Sequence, residues 1–367
     1  MTRFRRWCVV ALAVGLVVGV PIVLRTIPAG GSDVTATVLL DRVTASSDHP
    51  WSGFVETEGS LDLPVTDDFE DVGALFSDAT RLRAWWRGSD DWRVDRLLVS
   101  GETDLVHHHG LTLEWSYEDA RATLSRDPGI RLPRTADLLP PVLAERLLRD
   151  VDADAVRRIG SRRVAGISAP GLRVEPSAPQ SSVDHVDLWA DPDSGVPLRV
   201  EVYGEGASSP AFVSELRTFS AATPGSDDTD FDAGPGTEIH HEDVLDIADA
   251  ANQYAPLRPP KEVGGLARTG ASDGAVGVYG VGITQLIAIP LRDREADALR
   301  DQLRQSPDVQ EVDAGVMEAS GPLGVLVTGE EGDFGWVVAG TVTADTLVDA
   351  AADIDAHTSF FARGGVR

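Results

Sequence analysis

The sequence predicts an α+β protein: an N-terminal transmembrane helix, then an antiparallel β-sheet curling around a helix, then a small α+β domain. Three observations carry this expectation. Residues 8–24 form an uncharged apolar run. Short strand-like patterns separated by Gly, Ser and Asp turns fill most of 51–219, broken once, at 137–158, by a helical period. A stretch rich in Pro, Gly, Ser and Asp at 221–237 then precedes a second pattern of strands and helices.

The apolar run is 17 residues long, with Arg3, Arg5 and Arg6 before it and Arg25 after it. A bilayer-spanning helix needs about 20 apolar residues, with a lower limit near 17. Trp7, Thr26 and Ile27 extend the span into the interface. Arginines ahead of the run and acidic chain behind it place a tip, 1–7, in the cytoplasm, an anchor at 8–27, and the rest outside the plasma membrane. A cleaved signal peptide would have an apolar stretch of about 7–15 residues and a small-x-small site; here Arg25 interrupts the run, and 28–31 is only a fair site. A lipoprotein would carry a cysteine just after the run, whereas Cys8, the sole cysteine, opens it. One cysteine allows no intramolecular disulfide.

The formal charge is -27, from 32 basic and 59 acidic residues. Such a surface repels phosphate backbones and anionic lipid, which argues against nucleic-acid binding and against electrostatic adhesion to a membrane. Hydrophobic residues, at 42%, are enough to build cores, so global disorder is excluded. All 59 acidic residues follow the apolar run, so the negative charge belongs to the exported part.

Each further element has its own signal. Residues 33–45 read as a helix capped by Asp33, with Val38, Leu39 and Val43 as a narrow stripe. Strands are expected at 53–61, 80–87, 92–100, 102–107, 111–117 and 122–125. Asp137 is expected to cap a helix with Leu138, Leu139, Val142, Leu143, Leu147 and Leu148 on one face, and Pro140 and Pro141 fit its first turn. Strands resume at 163–167, 171–175, 183–190, 197–203 and 211–219, with Asp191-Pro192-Asp193-Ser194-Gly195 as a hairpin turn. These place a first domain at 33–222, a linker with a short helix at 223–275, and a small domain at 276–367. In the last, strands are expected at 281–290, 309–318, 324–328 and 334–342, and helices at 294–305 and 343–354, the latter capped by Thr343.

No G-x-S-x-G, P-loop, H-E-x-x-H or C-x-x-C pattern occurs, and the glycines of 277–282 have the wrong offsets for a dinucleotide turn. His107-His108-His109 cannot all reach one ion from a strand, because neighbours alternate faces. His240-His241 reads as a linker pair. No catalytic residue, metal or cofactor is expected. The tryptophans carry more: core packing accounts for them, or some line a pocket for an apolar ligand. The candidate lining is Trp86, Leu98, Leu111, Leu113, Trp115, Tyr117, Leu139 and Leu143.

The order of segments then resembles a known family. WSGFVETEG (51–59), LTLEWSYED (111–119), the inserted helix, VAGISAPGLRVEP (164–176), VDLWADPDSGVPLRVEVYG (186–204) and FVSELRTFS (212–220) are similar to the LolA/RseB-like lipoprotein-carrier superfamily in its membrane-anchored actinobacterial form. The tail at 336–354 looks like the C-terminal piece of the same group. The resemblance implies a half-open β-barrel wrapped on a helix, with an apolar cavity and no catalytic residues. It implies a membrane-anchored extracytoplasmic binding protein for a lipid, acyl chain or lipoprotein. The alternative is an envelope-sensing regulatory protein, similar to sigma-factor regulators, that touches a membrane protein, a transporter or an anti-sigma factor, through 276–367.

Overall fold

The computed structural model describes residues 30, 32–61, 70–232, 234, 237–241, 247–269 and 274–360, without the side chains of 70–72. The expected anchor at 8–27 lies outside them. No described helix is long and apolar enough to cross a membrane.

The first helix, α1 (Ala36–Ala45), starts later than expected, because the cap is Thr35 and not Asp33. The Thr35 hydroxyl accepts from the Val38 N–H at 3.4 Å. Leu39, Leu40 and Val43 are buried, whereas Val38 is exposed. Strands β1 (Trp51–Gly59), β2 (Ala79–Gly88), β3 (Asp91–Leu97), β4 (Glu102–His108), β5 (Leu111–Ser116) and β6 (Arg121–Arg126) follow as an antiparallel meander, interrupted by α2 (Glu70–Ser77). The sequence reading missed α2. After a 3-10 turn, Thr135–Leu138, comes α3 (Pro140–Leu147). Asp137 does not cap it. Leu139 takes the N-cap position, and the Asp137 carboxylate instead accepts from the Arg134 N–H at 2.9 Å and from Arg131 and Arg146.

Strands β7 (Val156–Val164), β8 (Ile167–Val174), β9 (Val183–Ala190), β10 (Pro197–Gly204) and β11 (Phe212–Ser220) complete the meander. The strand expected at 163–167 is instead a tight hairpin turn: Ala165 and Gly166 both have positive φ, 49° and 82°. A last strand, β12 (Glu238–His241), adds in parallel to β6, so His240 and His241 lie on a sheet edge rather than in a linker. The twelve strands run β12-β6-β5-β4-β3-β2-β1-β11-β10-β9-β8-β7, and the sheet is open, with β12 and β7 at its ends. Helices α1 and α3 cover one face, and that face with Leu82, Val94, Leu172, Leu188, Leu198 and Leu216 makes the main core.

Beyond β12 come α4 (Ile247–Tyr254), β13 (Leu257–Arg258), β14 (Glu262–Val263), β15 (Leu266–Thr269), β16 (Gly277–Val281), β17 (Thr284–Leu291), α5 (Asp293–Leu303), β18 (Gln310–Val312), β19 (Gly315–Ser320), β20 (Leu323–Thr328), β21 (Gly335–Gly340), α6 (Ala344–His357) and β22 (Ser359–Phe360). The expected linker therefore contributes β14 and β15 to a second sheet, ordered β14-β15-β16-β17-β21-β20-β19-β18. Thr343 caps α6 as expected, accepting from the Thr346 N–H. Tyr279, Leu286, Leu326, Val338 and Leu347 centre a second core. The two sheets are joined by main-chain hydrogen bonds, Thr343 N–H to Gln180 O at 2.8 Å and Ser182 N–H to Thr341 O at 3.3 Å. Ile283, on the turn between β16 and β17, is buried against the first core.

The Asp191–Gly195 turn anchors α1. The Asp191 carboxylate accepts from the Ser194 N–H at 2.8 Å and hydroxyl at 2.7 Å. Gly195 has φ 79°, and a Cβ there would meet the Arg42 carbonyl at 2.4 Å. Arg42 and Ser46 in turn donate to Pro192 O and Gly195 O. Gly195→Ala is therefore expected to destabilise the fold by about 2–4 kcal/mol, combining left-handed strain with overpacking. Urea denaturation checks this, and an unchanged midpoint would remove α1 docking as a constraint.

Candidate functional site

Strand alternation gives the large sheet two chemically distinct faces. On the helix-covered face, cross-strand partners build an aromatic ladder. Trp51 pairs with Trp86, Trp86 with Trp92, Trp92 with His107, and His107 with Thr112. The four rings stack with centroids 6.5, 5.7 and 5.1 Å apart. The Arg134 guanidinium sits 5.2 Å over the Trp92 ring and donates to Asp127 at 2.7 and 2.6 Å. The Thr112 hydroxyl donates to Asp127 at 2.8 Å and lies 2.9 Å from His107 Nδ1. Burial pushes the His107 pKa down. Burial alone would raise Asp127, but hydrogen bonds from Arg134 and Thr112 hold it below the usual carboxylate range. The buried Trp86 indole N–H has no hydrogen-bond partner among the described residues. Beside this face, between α1 and α3, lies a cleft of about 320 Å³ lined by Val43, Pro141, Leu148 and Pro197 with Glu145 and Arg149.

The opposite face is an ionic ladder. Arg173 grips Asp187 at 2.5 and 2.6 Å. Glu201 accepts from Arg199, Arg162 and the Tyr203 hydroxyl. Arg199 pairs with Glu215, Glu215 with Arg217, and Arg217 with Glu56. Farther along, Arg83 and Arg93 flank the Trp85 ring at 5.9 and 5.7 Å. The carboxylates of Asp95, Glu102 and Asp104 converge to within 4.8 Å of one another, the spacing of a cation site. Arg93 donates to Asp95 at 2.6 Å and to Asp104 at 2.7 Å, and Arg83 pairs with Glu102. Two guanidinium groups thus supply the positive charge a metal would bring, and the trio reads as ionic structure. Burial first, and then the neighbouring Asp95 charge, raise the Asp104 pKa to about 7.

The structure brings only some of the eight candidate lining residues together. Trp86 and Leu139 are buried in the main core, and Leu143 packs against it. Leu111, Leu113 and Trp115 do share a face, but they are paired with His108, Val106 and Asp104, on the side away from the ladder. Trp115 there packs on Phe231, with centroids 5.5 Å apart. Leu98 and Tyr117 lie at hairpin ends, 40% and 68% exposed. The sequence does not show Trp51 and Trp92 as ring partners of Trp86, or Arg134 as the cation over Trp92. The signal was the placement of all three tryptophans near strand ends, but only register aligns them. His107 and His108 face opposite sides, as expected of a strand: His107 meets Thr112, and His108 Nε2 lies 2.8 Å from Thr229 O.

No family model and no curated protein matches this chain. Solved structures do. The Pseudomonas aeruginosa MucA/MucB complex superposes with TM-score 0.50 at 17% identity, covering 85% of this chain and 95% of that one. MucB in complex with MucA(peri) gives 0.50 at 16%, covering 89% and 99%. A LolA superfamily protein from Nitrosomonas europaea gives only 0.23 at 13%, covering 51% and 92%, too low to argue from. At these identities the likeness to MucB is one of fold, and it runs through both sheets.

The Asp104 pKa makes a prediction. Its folded value, about 7, lies above that of an unfolded aspartate, about 3.9. The proton is therefore tied to the folded state. The associated stability is full in acid and is lost as pH rises from near 4 through 7. Asp104→Asn, uncharged at every pH, is expected to gain on the order of 1 kcal/mol over wild type at pH 8 relative to pH 5. Denaturant titrations at the two pH values check this; an equal offset at both would show that Asp104 is ionised in the fold.

Proposed function

We propose that the chain is a non-catalytic binding protein of the cell envelope whose task is to engage a partner protein. The observation that carries this reading is the likeness to MucB through both sheets, since MucB was solved bound to MucA. A regulatory role, with an anti-sigma factor or another membrane protein as partner and residues 276–367 as the contacting part, is therefore favoured over ligand carriage. In this reading the 8–27 run is the anchor, the bulk of the chain lies outside the plasma membrane, and the domain division falls between the two sheets. Affinity purification of the full chain from solubilised membranes of its own cells is expected to recover one membrane protein in near-stoichiometric amount. Recovery of no such protein, with or without cross-linking, would end the proposal.

A second reading is supported by a separate observation. The cleft between α1 and α3, with Val43, Pro141, Leu148 and Pro197 in its lining and Glu145 and Arg149 at its rim, suits an acyl chain with a polar head. Lipid extraction of the purified full chain, with uptake of a fluorescent fatty acid, tests it. Substituting Leu148 with Glu is expected to reduce uptake about tenfold, since a charged group in an apolar site must be desolvated. Absence of both copurified lipid and uptake would remove this reading.

A further inference from the structure

The β7–β8 register shifts between Ile159 and Arg162, and beyond this bulge the hairpin leans over the ionic face. Trp189 Nε1 donates to Gly160 O at 3.0 Å, and the Arg162 guanidinium lies 5.2 Å over the Trp189 ring while donating to Glu201. Two adjoining recesses, about 440 and 880 Å³, open between the hairpin tip and strands β1 and β11. They share Glu56, Arg163, Glu215 and Arg217 as walls.

The walls concentrate arginine in a chain whose net charge is -27. Arg199 is enclosed between Glu201 and Glu215, and Arg217 is held by Glu56 and Glu215. Two other guanidinium groups are exposed and less tightly engaged, one of them by a loose ion pair. Arg81 lies 3.6 Å from Glu56, beyond hydrogen-bond length, with 67% of its side chain exposed. Arg163 donates to Gly166 O at 2.7 Å and has no carboxylate partner among the described residues. Arg81 lines the first recess and Arg163 both, so the two mark out a path rather than a point. β7 is also the last strand of the sheet, with no strand partner on its outer edge among the described residues. Such an edge offers main-chain groups to an extended segment.

We propose that this groove holds an extended acidic peptide segment of a partner protein, with Arg81 and Arg163 as its carboxylate receptors. The proposal deepens, and rests on, the partner-binding reading above. Glu56, Glu58 and Glu215 in the walls disfavour a compact, densely charged anion such as phosphate. They suit a strand whose side chains alternate, so that carboxylates meet arginines while main-chain N–H groups meet the glutamates. The long-range repulsion between an acidic chain and an acidic peptide is screened beyond about 8 Å at physiological salt, leaving the local arginines to decide.

The test uses the purified full chain and a fluorescein-labelled peptide of about ten residues, roughly 33 Å when extended, alternating glutamate and serine, followed by anisotropy. Saturable binding is expected. It should weaken as salt rises from about 50 to about 300 mM, and it should be lost when glutamine replaces glutamate. The double variant Arg81→Gln with Arg163→Gln, both at exposed positions, is expected to weaken binding at least about tenfold, or about 1.4 kcal/mol, with an unchanged thermal midpoint. Arg126→Gln, an exposed arginine on β6, should leave it unaltered. Equal affinity of wild type and double variant would overturn the proposal, as would no preference for glutamate over glutamine. Competition by inorganic phosphate in the low millimolar range, or binding to phosphatidylglycerol vesicles through the same arginines, would reassign the groove to phosphate chemistry and overturn it too. Because the peptide is synthetic, failure here leaves the membrane copurification to judge partner binding separately.

Discussion

The two-residue period of the β-strand sorts the side chains of the twelve-stranded sheet, and the core, the aromatic ladder and the ionic face all follow from that sorting. On one face the period places Val55, Leu82, Val94, Leu188 and Leu216, and on the other Glu56, Arg83, Arg93, Asp187 and Glu215. A slip of one residue between any two strands would exchange these sets and drive arginines and carboxylates into the helix-covered core. Bulges at Phe54/Val55 and Ile159/Arg162 shift the register locally.

The ionic face adds specificity more than stability. Asp95, Asp104, Asp187, Glu201 and Arg199 are all buried. Desolvating such groups costs several kcal/mol apiece, and their pairing returns little net gain over apolar side chains. Removing one partner, however, strands the other. Each carboxylate here has an arginine on its own or a neighbouring strand, so the pairs reward one register and penalise its neighbours. Burial, and then the neighbouring Asp95 charge, are why the Asp104 carboxyl holds its proton up to about pH 7.

The strands were legible because alternation and turn residues are local signals. The meander from β1 to β6 and the 191–195 turn were read nearly to their bounds. The failures were places where a distant contact outweighs a local preference. Asp137 looks like a helix cap, but Arg131 and Arg146 claim its carboxylate, and the chain starts α3 three residues later. Ala165 sits in a left-handed turn that no propensity announces. α2 is short, and its burial rests on contacts such as Phe76 against Phe212. Of the candidate site, Trp86 lies on the helix-covered face, and Leu139 and Leu143 belong to the helix segment packed against it. Leu111, Leu113 and Trp115 share a face, as the two-residue period requires, but which face points to the core is a property of register with β4.

Composition, period and turn chemistry are written locally, so the α+β class, most strands of the large sheet, the acidic character of everything after the apolar run and the lack of a recognised catalytic motif are legible in the sequence. Only the tertiary structure decided which side chains meet. The Trp51–Trp86–Trp92–His107 ladder joins residues from four strands, and the arginine groove joins a hairpin tip to β1 and β11, which lie far from it along the chain on either side. Both depend on cross-strand register and on one bulge, and these follow from the packing of the whole sheet rather than from any stretch of sequence.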